Sequence, residues 1–231
     1  MRSIGKLIAI AFCFGIVSEV SAQTSPRPSW TGFYVGGHLG YGWGLDDSPF
    51  NVNVLNVVSQ GGNRSIKGPF GGLQVGYNFA IGQFVVGLEI DASLSDIDGN
   101  SPIINGANTG NTQARVESFG TGRARIGYLF GNALAFGTGG VALGRVETSR
   151  TQLTGTVFNA TPGSIDRATY TSSGWVVGGG VEFALAQHWT AKIEYLYVDL
   201  GTNTVTRVLA EQRVDHTVTL STARIGLNYR F

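Results

Sequence analysis

The chain has 231 residues, of which 42% are hydrophobic and only 13% charged, and its formal net charge is +1. That charge is too small for a nucleic-acid partner, which requires a concentrated basic surface. The 35 glycines follow no G-X-Y period, which excludes collagen, and the hydrophobic content is too high for a disordered chain. The length suits one large all-β domain or two small domains.

The first 22 residues are predicted to be a cleaved signal peptide. Arg2 and Lys6 precede an apolar run over residues 7–17, which is too short to span a bilayer. The run is followed by Val20-Ser21-Ala22, which offers small residues for cleavage. We therefore expect an exported protein, with a short polar periplasmic lead over residues 23–30 and one domain over residues 31–231.

The exported part shows the period-two alternation of β-strands with two unlike faces. The alternation is clear in most segments, but in the fifth strand both faces are small and apolar, so its inward and outward residues stay undecided. Eight strands are predicted, at about residues 31–43, 66–79, 83–95, 115–129, 133–145, 173–184, 189–200 and 216–231.

The connections between these strands alternate between short and long. Those after strands two, four and six are tight turns, whereas residues 44–65, 96–114, 148–171 and 201–215 form long connections. Short turns on one side and long loops on the other are typical of a transmembrane β-barrel. The predicted fold is therefore an all-β, eight-stranded antiparallel up-and-down transmembrane barrel with both termini on the short-turn side.

Aromatic residues cluster near the strand ends, as expected for two interfacial girdles. The residues chosen as girdle members are Phe33, Phe84 and Trp189 on the short-turn side, and Trp43, Trp175 and Tyr195 on the other. A secreted ligand-binding barrel would instead have an apolar interior and a polar exterior. The charges at inward positions argue against that alternative.

The predicted inward positions hold equal numbers of acids and bases. They are Glu89, Asp91, Glu117, Glu182 and Glu194, and Arg123, Arg125, Lys192, Arg224 and Arg230. An unpaired charge in a narrow interior is strongly destabilising, so the balance favours mutual pairing. An eight-stranded barrel is just wide enough for side chains to fill. We therefore favour a plugged interior and keep a passive small-solute pore as the alternative.

No catalytic, cofactor or metal site is predicted. The exported histidines, His38, His188 and His216, lack metal-ligand spacing with each other or with acids, and none has a serine two residues later. The long connections are rich in Asn, Thr, Gly and Ser, and they are where host or surface ligands would be recognised. No cluster in them indicates a particular ligand.

Several motifs resemble a known family. The segments WTGFYVGGHLGYGWG, GPFGGLQVGYNF, TGRARIGYLF, GTGGVALG, SSGWVVGGGVEFAL, WTAKIEYLYVDLG and ARIGLNYRF are similar to the small outer-membrane β-barrel proteins of alphaproteobacteria, called outer-membrane immunogenic or porin-like proteins. The resemblance spans essentially the whole exported part.

This resemblance implies an integral outer-membrane protein with surface and envelope-integrity roles and no family-wide enzymatic activity. It also implies contact with outer-membrane lipid and lipopolysaccharide. The ending with Tyr229 and Phe231 is similar to the signal by which the outer-membrane assembly machinery recognises its clients.

Overall fold

The computed structural model describes residues 29–47, 64–105, 108–155, 161–207 and 212–231. The predicted signal peptide and most of the lead lie outside these ranges. Within them the chain forms eight strands, namely β1 Gly32–Asp47, β2 Arg64–Ile81, β3 Phe84–Asn105, β4 Asn108–Phe130, β5 Ala133–Thr154, β6 Ile165–Ala184, β7 Trp189–Arg207 and β8 Gln212–Arg230. No helix in the described ranges is long and apolar enough to cross a membrane.

Each strand pairs antiparallel with its neighbours in the sequence, and β8 pairs with β1 to close the ring. The predicted eight-stranded up-and-down barrel is therefore confirmed. Two of the tight turns have a glycine in the left-handed region, Gly82 with φ 62° and Gly131 with φ 63°. Residues with a Cβ rarely adopt this conformation, which explains glycine at both turns.

The register of the strands sets the size of the barrel. A path that starts at Val35 and passes from each residue to its register partner on the next strand returns to β1 at Leu45, ten positions from its start. The path runs through Val75, Ile90, Gly122, Val141, Trp175, Asp199 and Thr219. For eight strands this stagger gives a strand tilt of about 40° and a radius of about 8 Å. Such a cylinder has room for side chains and little else.

The strands are longer than predicted at the end away from the termini. β3 reaches Asn105 and β4 begins at Asn108, so most of the predicted connection 96–114 is a paired hairpin. The cause is a change of surroundings along the strand. Beyond the apolar band the outer face is hydrated, so its residues become polar while the backbone ladder continues.

The interior is layered along the barrel axis. The inward positions of β3 show the order, because Val85 is followed by Glu89 and Asp91 and then by Ile97. An apolar cluster of Trp30, Val85, Leu134 and Phe136 lies near the termini. A larger apolar cluster, which includes Ile66, Phe70, Ile97, Phe119, Leu196 and Leu220, lies toward the opposite end. Eight buried charged residues occupy the layer between the two clusters, and a further buried pair, Asp46 with Arg64 at 3.0 Å, lies at the end of the barrel away from the termini.

Candidate functional site: the ionic network inside the barrel

The middle layer of the lumen contains four acids and four bases, all buried. We call this set the ionic network, and its members are Glu89, Asp91, Glu182, Glu194, Arg123, Arg125, Lys192 and Arg224. Strand alternation points each of these side chains inward, from β3, β4, β6, β7 and β8. Opposite charges thus meet across the lumen as well as between neighbouring strands.

Glu89 has the most charged partners of the four acids. Lys192 Nζ lies 2.8 and 2.7 Å from its two carboxylate oxygens, and the Tyr34 hydroxyl donates to it at 2.7 Å. Arg123 also pairs with Glu89, and Arg224 Nη2 lies 3.3 Å away. The Glu89 carboxylate is therefore surrounded by donors contributed from four other strands.

Arg123 and Arg224 join the remaining acids on the side of the larger apolar cluster. Arg123 Nη1 lies 2.6 Å from Glu194, and its Nη2 lies 3.0 Å from Asp91. Arg224 Nε lies 2.6 Å from Glu194, and its Nη1 lies 3.3 Å from Asp91. Each guanidinium therefore bridges two or more carboxylates, which is the geometry that favours arginine over lysine at buried ion pairs.

Arg125 and Glu182 form the part of the network nearest the termini. Arg125 Nη2 lies 2.6 Å from Glu182, which also accepts hydrogen bonds from Thr190 at 2.5 Å and from Asn228 at 3.0 Å. The Arg125 guanidinium lies 4.3 Å from the ring centre of Phe136. This cation–π contact joins the charged layer to the smaller apolar cluster.

A neutral polar bridge accompanies the network. His38 Nδ1 lies 3.1 Å from Gln74 Oε1, and His38 Nε2 lies 2.8 Å from Ser93 Oγ. Gln74 donates in turn to Asn228 at 2.5 Å. Tyr34, Gln74 and Ser93 were not among the predicted site residues. Their inward positions in the strand alternation were the available signal.

Glu117 was predicted to lie in the interior, and this prediction is wrong. A β-bulge between Val116 and Ser118 adds one residue to β4, which reverses the inward and outward positions on its far side. Glu117 is 37% exposed and pairs instead with Arg145 at 2.8 Å, while Val116 is buried.

Arg230 is buried, but it is not joined to the network by an ion pair within the described ranges. Its Nη1 donates to the carbonyl of Ser29 at 2.8 Å, and its guanidinium lies 4.6 Å from the Trp30 ring centre. Trp30 belongs to the smaller apolar cluster. Arg230 of β8 therefore holds Ser29 and Trp30 at the mouth of the barrel.

The six residues predicted as interfacial aromatics are all exposed on the outer wall: Phe33, Trp43, Phe84, Trp175, Trp189 and Tyr195. Near the termini, Phe33, Phe84 and Trp189 have ring centres 4.7, 5.2 and 5.2 Å from tyrosine rings, which are those of Tyr77, Tyr128 and Tyr229. Toward the other end, Trp43 contacts Tyr195 at 6.3 Å and Trp175 contacts Tyr197 at 5.5 Å.

The spacing of these two aromatic levels fits a membrane. Phe33 and Trp43 are ten positions apart on β1, which is about 33 Å along the strand and about 25 Å along the axis of a barrel tilted by about 40°. Apolar bands of transmembrane barrels are about 25 Å tall. Between the levels the outer wall exposes Leu39, Leu73, Leu88, Ile90, Ile126, Val141 and Ile193.

The described residues hold no group of three or more His, Cys, Asp or Glu side chains arranged to bind a metal ion. The His216 side chain lies outside the described part of the chain. His188 lies in a short turn, where its Nδ1 is 2.9 Å from the Arg230 carbonyl. Chemically, the arrangement offers a set of buried ion pairs in which each of the eight charged side chains lies within 4 Å of an opposite charge.

Comparison with known proteins agrees with this architecture. The 31 kDa outer-membrane immunogenic protein of Brucella melitensis is 36% identical over 227 residues, which cover 94% of this chain and 91% of that protein. The 22 kDa outer membrane protein of Rhizobium leguminosarum is 30% identical over 178 residues, covering 77% and 68%. Both organisms are alphaproteobacteria, as the sequence motifs predicted.

A solved structure and a family model complete the comparison. The outer membrane protein OprG from Pseudomonas aeruginosa aligns with a TM-score of 0.51 at 15% identity, over 89% of this chain and 98% of that one, and this likeness supports the fold alone. The family model described as "Outer membrane protein beta-barrel domain" matches residues 10–231. The chain therefore belongs to the outer-membrane β-barrel protein family, and it is a protein of the Gram-negative outer membrane.

Proposed function

We propose that this protein is a structural and surface-interaction component of the outer membrane, that its lumen is plugged, and that it has no enzymatic activity. The observation that supports the proposal is the pairing of four acids with four bases inside a barrel whose backbone wall has a radius of about 8 Å. Apolar clusters lie on both sides of this layer. An ion that crossed the barrel would have to separate buried pairs, each of which costs about 3–5 kcal/mol to break.

The alternative is a passive small-solute pore, and conductance separates the two functions. We expect the purified protein to give little or no steady current in planar bilayers, whereas a wide porin inserted into the same bilayers serves as the positive control. Large, reproducible, open channels would show that the ionic network does not seal the lumen. The pore would then replace the plugged barrel as the function.

The envelope role is tested separately in cells. We expect a strain that lacks the protein to become more sensitive to detergents and to bulky antibiotics, and plasmid-borne wild-type protein to restore resistance. A conducting protein would instead change the uptake of small solutes. Unchanged sensitivity under both treatments would argue against a contribution to envelope integrity.

Assembly and lipid contact are the remaining parts of the proposal. Phe231 is 72% exposed, its N–H donates to the carbonyl of Phe33 at 3.0 Å, and its ring contacts Tyr229. An exposed terminal aromatic residue beside the closing seam suits recognition by the outer-membrane assembly machinery. The exposed aliphatic band suits outer-membrane lipid, with lipopolysaccharide in the leaflet on the long-loop side.

A further inference from the structure

The wall of the barrel is split between β6 and β7 beyond the outer aromatic level. β6 pairs with β5 along almost its whole length, from Ile165 opposite Thr151 onward. Its pairing with β7 begins only at Trp175, opposite Asp199. The backbone of β7 also lies against Gly174 and Ser173, beside Asp199 and Gly201. Within the described ranges, residues 165–172 of β6 therefore have a partner strand on one side only.

A bulge in β7 causes the split. The register between β7 and β8 shifts between Asp199 and Thr202, and Gly201 between them has a φ of 69°. The Gly201 N–H donates to the Asp199 carboxylate at 2.8 Å, which fixes this conformation. Beyond the bulge β7 pairs with β8 as far as Arg207 and no longer pairs with β6.

The hydrogen-bond pattern shows which backbone groups line the open edge. On β5, the Gln152 N–H donates to the Ser164 carbonyl at 3.0 Å, and the Gln152 carbonyl accepts from the Gly163 N–H at 2.8 Å. In an antiparallel ladder every second residue bonds to a given neighbour. Even-numbered residues of β6 therefore bond to β5, and the odd-numbered ones direct their N–H and C=O groups to the open edge. Within residues 165–172 the latter include Arg167, Thr169 and Thr171.

These edge residues carry little of the protection that free edges normally have. Proteins usually shield an exposed edge with proline, lysine, a bulge or a covering loop. Thr169 and Thr171 are exposed, uncharged residues, and Arg167 is the one base among these edge-facing positions. The edge starts three residues beyond Trp175 and runs for about 25 Å at about 3.3 Å per residue. It therefore rises from the membrane surface on the long-loop side.

We propose that this edge, residues 165–172, is a docking site for an extended segment of another polypeptide at the cell surface, which binds as an added β-strand. Strand addition to an exposed sheet edge is a recurring mode of peptide recognition. Alternate side chains of the added strand would lie on the outer face, and an acid beside the exposed Arg167 would match its charge. The proposal specifies the partner for the proposed surface-interaction role and therefore rests on it.

A second copy in the same membrane does not fit this edge. A twofold axis that pairs two identical strands antiparallel is perpendicular to the strands. Two barrels in one membrane are instead related about the membrane normal, and with a tilt of about 40° their β6 strands would cross at about 80°. The occupant is therefore a segment free to lie along β6.

Proline substitution tests whether the edge is open. Proline has no N–H, so it is tolerated where the N–H faces away from the ladder. We expect Thr169→Pro to assemble like the wild type, and Ala168→Pro, which removes a bond to β5, to lower the yield of folded barrel.

Amide hydrogen exchange gives a second readout, and the Thr169 and Thr171 amides should exchange faster than the Ala168 amide. Slow exchange at Thr169 would mean that the chain itself covers the edge, and would overturn the proposal.

Binding is tested with a labelled nine-residue peptide of alternating valine and threonine that carries one glutamate to meet Arg167. We expect saturable binding to the micelle-embedded barrel, protection of the Thr169 and Thr171 amides, and at least tenfold weaker binding by Thr169→Pro. N-methylation of the peptide's edge-facing amides should abolish binding, whereas methylation of the alternate amides should not. Absent binding, or binding unaffected by both changes, would refute the docking site. Neither result alters the conductance or antibiotic-sensitivity tests of the proposed function.

Discussion

Replacement of Glu89 by glutamine removes the negative charge that has the most charged partners among the four acids of the ionic network. Glutamine keeps the shape of the side chain, but it places an NH₂ group where two oxygens now accept from Lys192 and Tyr34. Arg123 and Arg224 lose one of their carboxylate partners as well. The ionic network changes from four acids and four bases to three acids and four bases, all of them buried.

Removal of one partner from a buried ion pair typically destabilises a protein by about 3–5 kcal/mol. We expect Glu89→Gln to lower the free energy of unfolding by about that amount, which is a factor of roughly 10²–10⁴ in the equilibrium constant. Lys192→Met should relieve part of this loss, because the double variant is neutral again. The double variant should therefore be more stable than the sum of the single effects by about 1–3 kcal/mol.

The assay is a guanidinium titration of the barrel in detergent micelles, followed by tryptophan fluorescence and by the gel mobility of unheated samples. Glu117→Gln is the matched control, because the Glu117–Arg145 pair has side chains that are 37% and 61% exposed. Exposed pairs contribute about 0–1 kcal/mol. Equal unfolding midpoints for the Glu89 and Glu117 variants would refute the argument that the buried network stabilises the barrel.

Three further outcomes follow from the packing. A Cβ at Gly76 would overlap the Tyr34 ring, so Gly76→Val should lower the free energy of unfolding by about 1–3 kcal/mol in the same titration. Gly37→Val is the control, because a Cβ there would lie 3.7 Å from its nearest neighbouring atom, and it should lower the free energy of unfolding by about 0.5 kcal/mol or less. Trp30→Ala should lower the unfolding midpoint by an amount equivalent to about 3–5 kcal/mol, because it empties a buried site at the barrel mouth. Deletion of Phe231 should reduce the folded protein in outer-membrane fractions more than deletion of any single loop residue, and equal amounts would contradict its role as an assembly signal.

The sequence contained enough information to predict the strand count, the topology and most inward positions. A membrane requires one apolar face over the whole crossing, so the alternation is strict between Phe33 and Trp43 on β1. The ends near the short turns were predicted to within about two residues, and glycine marks two of these three turns, at Gly82 and Gly131. The inward face of β5, undecided from the sequence, contains the even positions from Leu134 to Gln152.

Other features depend on relations between strands that a single strand does not contain. Arg123 and Glu194 are 71 residues apart in the chain, and they meet because the stagger of the barrel brings β4 and β7 side chains together in the lumen. The bulge at Glu117 inserts one residue without a local sequence signal, and uninterrupted alternation then assigns the wrong face. The lengths of β3 and β4 escaped prediction because water, unlike lipid, does not impose an apolar outer face.

Glycine composition and the proposed plug have a common physical origin. A barrel whose backbone wall has a radius of about 8 Å leaves little space for neighbouring inward side chains that are all large. Large inward residues lie over inward glycines on nearby strands, as Phe70 does over its register partner Gly40, Lys192 over its register partner Gly226, and Leu200 of β7 over Gly144 of β5. These contacts fit an interior occupied by side chains, and they explain glycine at inward positions of strands, where it is otherwise unfavourable.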